Sequence, residues 1–171
     1  VTVKIRKGVK YAPPVNREVT LSLQLVPFGE YLPLRTLLTA IGISRLAPGD
    51  LDFWPGPGAR TLQLPGYPSV GPLICYEVVF SGHAADRGDR PNWLLNASND
   101  AWFSDGGAWM HLAQARLRAI EEGLPVARAT PTGVSAIIDP RGRVIASLGR
   151  NRQGVLTTNL PAPLAATPFA R

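Results

Sequence analysis

Polar and apolar residues alternate from Val1 to Ile5 (VTVKI) and again from Thr20 to Val26 (TLSLQLV). That period of two predicts a strand with one face buried. Between them, YAPPVNRE (11–18) is a turn-rich break. The second strand is stopped by Pro27-Phe28-Gly29-Glu30-Tyr31-Leu32-Pro33, where two prolines and a glycine make a rigid loop around one glutamate. A short helix is expected in 34–46, and 47–70 is loop-rich. Continuous apolar runs follow. Gly71 to Tyr76 (GPLICY) and 92–98 (NWLLNAS) read as buried strands, the second ending in polar Ser98-Asn99-Asp100.

Residues 108–122 (AWMHLAQARLRAIEE) are the strongest helix. Trp109, Leu112, Ala113, Leu117 and Ile120 fall on one broad face, expected to be the packed one, and Gly123 is a natural stop. Pro125 to Thr130 and Gly133 to Asp139 read as strands. Asp139-Pro140-Arg141-Gly142 is a turn, with proline second and glycine fourth, returning through a hairpin partner at Arg143 to Ser147. A last strand is expected from Gly154 to Leu160, before a tail rich in proline and alanine. Short buried strands around one good helix imply an α/β (α+β) layered sandwich.

Composition supports that architecture. Hydrophobic residues make up 45% of the 171, charged residues only 18%, and glycine and proline number 17 each, which favours short elements and tight loops over a helical bundle. The net charge of +6 clusters only at Lys4, Arg6, Lys7 and Lys10. Aromatic and basic residues do not interleave as on an RNA-binding platform, so no nucleic-acid partner is expected. The single cysteine excludes an intrachain disulfide. No run of about 18 apolar residues predicts a transmembrane helix, and VTVKIRKGVK lacks the apolar stretch of a signal peptide.

The candidate chemistry gathers at strand ends. Cys75 sits where a buried strand meets a turn, a place that exposes a nucleophile and lets the next backbone N–H, that of Tyr76, face an oxyanion. A lone cysteine is more often a small buried hydrophobe than a nucleophile. Glu77 would share the side of Cys75 if the strand continued; otherwise it is a surface charge. Glu30 is a general-base or positioning candidate, or a solvated loop charge. Asn96, Asn99 and Asp100 either line a site or cap the following turn. Trp102 and Phe103 form an apolar wall or belong to the core. His83 and His111 lack a paired ligand at helical spacing, so no metal is expected, and nothing calls for a cofactor.

Four ordered segments carry a resemblance: LVPFGEYLPLR (25–35), GPLICYEVVF (71–80), NWLLNASNDAWF (92–103) and HLAQARLRAIEEGLPVARATPTGVSAIIDPRGRV (111–144). Together with TPFAR (167–171), they resemble the C-terminal part of the nitrilase-like, carbon-nitrogen hydrolase domain of the apolipoprotein N-acyltransferase family. The likeness divides the chain into a poorly matching segment 1–24 and a matching part 25–171. It implies a partial αββα sandwich with a Glu–Lys–Cys triad, in which the cysteine takes an acyl chain from a phospholipid and passes it to the N-terminal amine of an apolipoprotein. It places that work at the periplasmic face of a bacterial inner membrane, with membrane spans ahead of the domain. On it, Cys75 is the nucleophile, Tyr76 supplies the oxyanion N–H, Glu30 is a supporting glutamate and Glu77 a further functional one. The position of the family's lysine is held by Ser22, and its triad glutamate would lie ahead of Val1, so this chain is expected to be inactive alone. A soluble amidase or nitrilase and a non-catalytic descendant are the alternatives.

Overall fold

The computed structural model describes residues 2–7, 34–40 and 58–171. The predicted strand at Thr20–Val26 lies outside them, as do Ser22 and Glu30. Within the described residues the elements run β1 (Thr2–Lys7), α1 (Arg35–Ala40), β2 (Leu62–Leu64), β3 (Tyr67–Ile74), β4 (Trp93–Ala97), α2 (Asp105–Glu122), β5 (Val126–Ala129), β6 (Ser135–Ile138), β7 (Val144–Leu148) and β8 (Gly154–Asn159). Six strands form one mixed sheet in the order β2-β3-β4-β5-β6-β7. Its centre, β3-β4-β5, is parallel, and hairpins extend it at both edges. A separate ribbon pairs β1 with β8 along their full lengths, from Thr2 opposite Asn159 to Lys7 opposite Gly154.

Strand alternation sorts the central residues onto two faces. Leu73, Leu94, Val126, Ala136 and Ile138 point toward α2 and pack with Leu112, Ala115 and Ala119. Ala127 and Ile137 point the other way, against Trp93, Leu95 and two residues of the β8 segment, Leu156 and Leu160. The result is a helix layer, a six-stranded sheet and a two-stranded ribbon. This is the α/β class expected, with the central strands covered on both faces as parallel strands require.

Two expectations need correction here. The packed face of α2 is not the one defined by Trp109, Ala113, Leu117 and Ile120, which are all exposed. Ala108, Leu112, Ala115 and Ala119 face the sheet instead. Small alanines let the helix lie close to the strands, and the bulky apolar side chains are left outside. The loop expected in 47–70 also contains β2, which turns into β3 through Pro65-Gly66. The C-terminal stop holds: Gly123 adopts φ 63°, and its N–H reaches the carbonyls of Ala119 and Ile120. Arg90 then ties the end of α2 to the tail, donating to the carbonyls of Glu122 at 2.6 Å and Leu164 at 3.2 Å. The predicted turn at Asp139–Gly142 is present, with the Asp139 carboxylate accepting from the N–H groups of Arg141 and Arg143 at 2.9 Å each.

The face assignment is testable. Leu94→Ala, at a fully buried position, is expected to cost about 2–5 kcal/mol, read as a lower urea midpoint. Leu117→Ala on the outer face is expected to cost under about 1 kcal/mol. A larger loss for Leu117→Ala than for Leu94→Ala would reverse the assignment.

Candidate active site

The parallel register brings three strand ends together. Ile74 is opposite Ala97, and Ala97 is opposite Ala129, so Cys75, Ser98 and Thr130 leave the sheet side by side. The C-terminal edge of parallel strands is where open α/β sheets place their ligands.

Cys75 does not continue β3. It takes φ 50°, a left-handed conformation that a side chain adopts at a cost, and opens a 3-10 turn from Cys75 to Val79. The reversal lifts its half-buried thiol off the strand end. Because the strand stops at Ile74, Glu77 does not alternate to the side of Cys75. Its carboxylate turns back and accepts the Ile74 N–H at 2.6 Å, and the residue is 3% exposed. Glu77 is therefore a buried brace of the turn, neither a surface charge nor a group aligned along a strand. Tyr76 is partly exposed, with its ring edge-on to Phe80 at 5.7 Å.

Beneath the turn lies a polar cluster closed to solvent. Asn96 Nδ2 donates to the carbonyl of Leu73 at 3.2 Å and to that of Cys75 at 3.5 Å. Arg128, fully buried and opposite Asn96 in the sheet, donates through Nη1 to Asn96 Oδ1 and through Nη2 to Asp100 Oδ2 at 2.6 Å. The second carboxylate oxygen of Asp100 accepts from Ser98 Oγ at 2.9 Å and from His111 Nδ1 at 3.0 Å. That contact assigns the His111 proton to Nδ1. Burial opposes ionisation of Asp100, but the hydrogen bond from His111 and the charge and hydrogen bond of Arg128 outweigh it, holding the carboxyl down at about 2. Ser98 Oγ also stands 3.8 Å from Cys75 Sγ. Gly133 closes the far side, where a Cβ would collide with the Asp100 carboxylate.

Among the strand-end residues, then, Asn96 and Asp100 join Cys75. Asn99 caps the 3-10 turn Asp100–Trp102, its Oδ1 accepting from Ala101 N–H at 3.2 Å. Phe103 lies edge-on to His111 at 5.1 Å, whereas Trp102 is exposed and His83 lies on the surface. Arg128 and Ser98 were not singled out from the sequence. The available signal for Arg128 was a charged residue inside an otherwise apolar strand, VARA.

Comparison with known proteins agrees with this architecture. The family model for carbon-nitrogen hydrolases matches residues 9–168, and the chain belongs to that family. Within it, the chain is 50% identical to the apolipoprotein N-acyltransferase of Rhodopseudomonas palustris and 48% identical to that of Bradyrhizobium diazoefficiens, each over 150 residues. Those alignments take in 87% of this chain but 28% of each relative, so the chain spans little more than a quarter of their length. Among solved structures, a CN-hydrolase superfamily protein of Xanthomonas campestris superposes with a TM-score of 0.53 at 22% identity, over 67% of this chain and 46% of that one. An amidase of a Nesterenkonia species superposes with a TM-score of 0.52 at 25% identity, over 64% and 44%.

The cluster makes a prediction about stability. The Asp100 pKa falls on folding from 3.8 to about 2. The native state therefore binds fewer protons than the unfolded chain between these values. Stability from this group is fully present above about pH 5 and is lost as pH falls toward 2, by about 2 kcal/mol in all. Asp100→Asn is expected to flatten that part of the pH–stability curve. Arg128→Met leaves the Asp100 charge buried without its cation and is expected to cost about 3–5 kcal/mol, measured by urea denaturation near pH 7.

Proposed function

We propose that this chain is the thiol-bearing part of an apolipoprotein N-acyltransferase and that Cys75 carries the acyl group. The observation that carries this reading is the left-handed Cys75 at the C-terminal end of a central parallel strand, braced by buried Glu77. The identity to named N-acyltransferases supports it.

The chemistry divides one acyl transfer into two steps. The Cys75 thiolate attacks an ester carbonyl of a phospholipid. The ester C–O bond breaks, a lysophospholipid leaves with a proton, and a thioester remains on the sulfur. The amine of a diacylglyceryl-cysteine apolipoprotein then attacks the thioester. The C–S bond breaks, an amide forms, the proton the amine loses replaces the one the lysophospholipid carried off, and the thiolate returns. The Tyr76 N–H is the proposed donor to the oxyanion of both tetrahedral intermediates, since it directly follows the nucleophile on the turn. Glu77 acts by holding that turn, and Glu30 is proposed as the supporting carboxylate. The reaction belongs at a membrane surface, at the periplasmic face of the inner membrane. Ser22 offers no cation to lower the thiol pKa. The proposal therefore assigns this chain negligible turnover by itself.

A graft tests the reading. Placed in the full-length Rhodopseudomonas palustris relative in place of the matching segment, the chain carrying Ser22→Lys is expected to form a hydroxylamine-labile acyl adduct from phospholipid and to acylate a diacylglyceryl peptide. Cys75→Ala in that graft is expected to abolish both, and restoring Ser22 to lower the rate at least about a hundredfold, a typical loss for one electrostatic group in such a site. A folded Ser22→Lys graft that forms no adduct would overturn the proposal.

A further inference from the structure

Ser98 occupies an unusual position. It is 7% exposed, and its single hydroxyl proton has two acceptors within reach. Asp100 Oδ1 lies at 2.9 Å and Cys75 Sγ at 3.8 Å. Asp100 does not depend on Ser98, because His111 Nδ1 and Arg128 Nη2 also donate to its carboxylate, at 3.0 and 2.6 Å. The parallel register fixes the pair: Ile74 is opposite Ala97, so residues 75 and 98 are the next step along neighbouring strands. Resting on the reading of Cys75 as the nucleophile, we infer that Ser98 is a catalytic residue of this site, whose hydroxyl transfers its donated hydrogen bond from the Asp100 carboxylate to the Cys75 sulfur when the thiol ionises.

The hydroxyl keeps its own proton throughout; the thiol proton leaves to a base or to water. Before ionisation, Ser98 donates to Asp100 and its oxygen accepts from the Cys75 S–H. Afterwards the hydroxyl rotates about its Cβ–Oγ bond and donates to the thiolate. Asp100 retains two donors, so the exchange leaves no buried charge unpaired. The contact at 3.8 Å shortens as charge develops, because hydrogen bonds to an ionised acceptor are shorter and stronger than neutral ones. The other titratable or charged groups around this pair, among the described residues, are Tyr76 and Glu77 on the turn, Asp100 beside Ser98 in sequence, His111 on α2 and Arg128 on β5. None of them changes place in the exchange.

The test reads the thiol directly. Cys75 is the single cysteine, so iodoacetamide alkylation of the full chain reports that group alone. Ser98→Ala is expected to move the midpoint of the alkylation–pH profile upward by about half to one unit and to slow alkylation about three- to tenfold at pH 7. The high-pH plateau should be unchanged. Ser98→Thr keeps a hydroxyl and is expected to restore the midpoint. An unchanged midpoint in Ser98→Ala, or a plateau that falls while the midpoint stays, overturns the assignment. If Ser98→Ala does not fold, the S–H stretching band of the unaltered chain decides: the frequency of a hydrogen-bonded thiol supports the assignment, and that of a free thiol overturns it. These readouts need no acyl transfer. A shifted midpoint in a protein whose Ser22→Lys graft forms no thioester would sink the proposed function and leave Ser98 as the partner of the sulfur.

Discussion

The buried pair of Arg128 and Asp100 is the contact on which the strand-end geometry depends. Each charge alone would be costly to bury; together they are tolerable because the two face each other directly and both terminal nitrogens of Arg128 have partners, although its Nε has none. Arg128 uses one arm of its guanidinium for the Asp100 carboxylate and the other for the Asn96 amide. Asn96 in turn holds the carbonyls on either side of Ile74, those of Leu73 and Cys75. A charge centred on β5 therefore fixes the backbone of β3 at the point where it reverses. Replacing this network with apolar residues would leave the Glu77 brace as the remaining side-chain restraint, among the described residues, on the turn at which Cys75 leaves the sheet.

The turn is built against conformational preference. Cys75 adopts a left-handed backbone without the freedom of glycine, and such a residue persists only where its surroundings over-determine it. Glu77 restrains it from the far side of the turn and Asn96 from the neighbouring strand. The strain and its restraints hold the sulfur at one defined place, as the acyl transfer proposed above would require.

The layer order directs the polar cluster to one edge of the sheet. α2 and the β1–β8 ribbon cover the two faces of the central strands, leaving the C-terminal edge of β3, β4 and β5 as the place where polar side chains from three strands and one helix converge. His111 reaches it from α2 because it lies on the inner face, one residue from Leu112 and four from Ala115.

Local sequence determined the elements. The apolar runs, the turn at Asp139–Gly142 and the stop at Gly123 each have a short-range cause, and they appear where period and turn chemistry put them. The strand end near Cys75 was legible for the same reason, within two residues: Tyr76 expected, Ile74 observed. Tertiary structure decided what periodicity cannot express. Which face of α2 packs was set by how closely alanines approach the sheet, so the bulky face pointed outward despite its hydrophobicity. The fate of Glu77 was set by a backbone reversal that no side-chain pattern announces. The partnership of Asn96, Ser98, Asp100, His111 and Arg128 depends on the parallel register of β4 and β5 and on the packing of α2, and residues up to 32 positions apart meet only once that register exists. Sequence carries the identity of each polar residue, but a hydrogen bond needs a distance and a direction, and those come from packing.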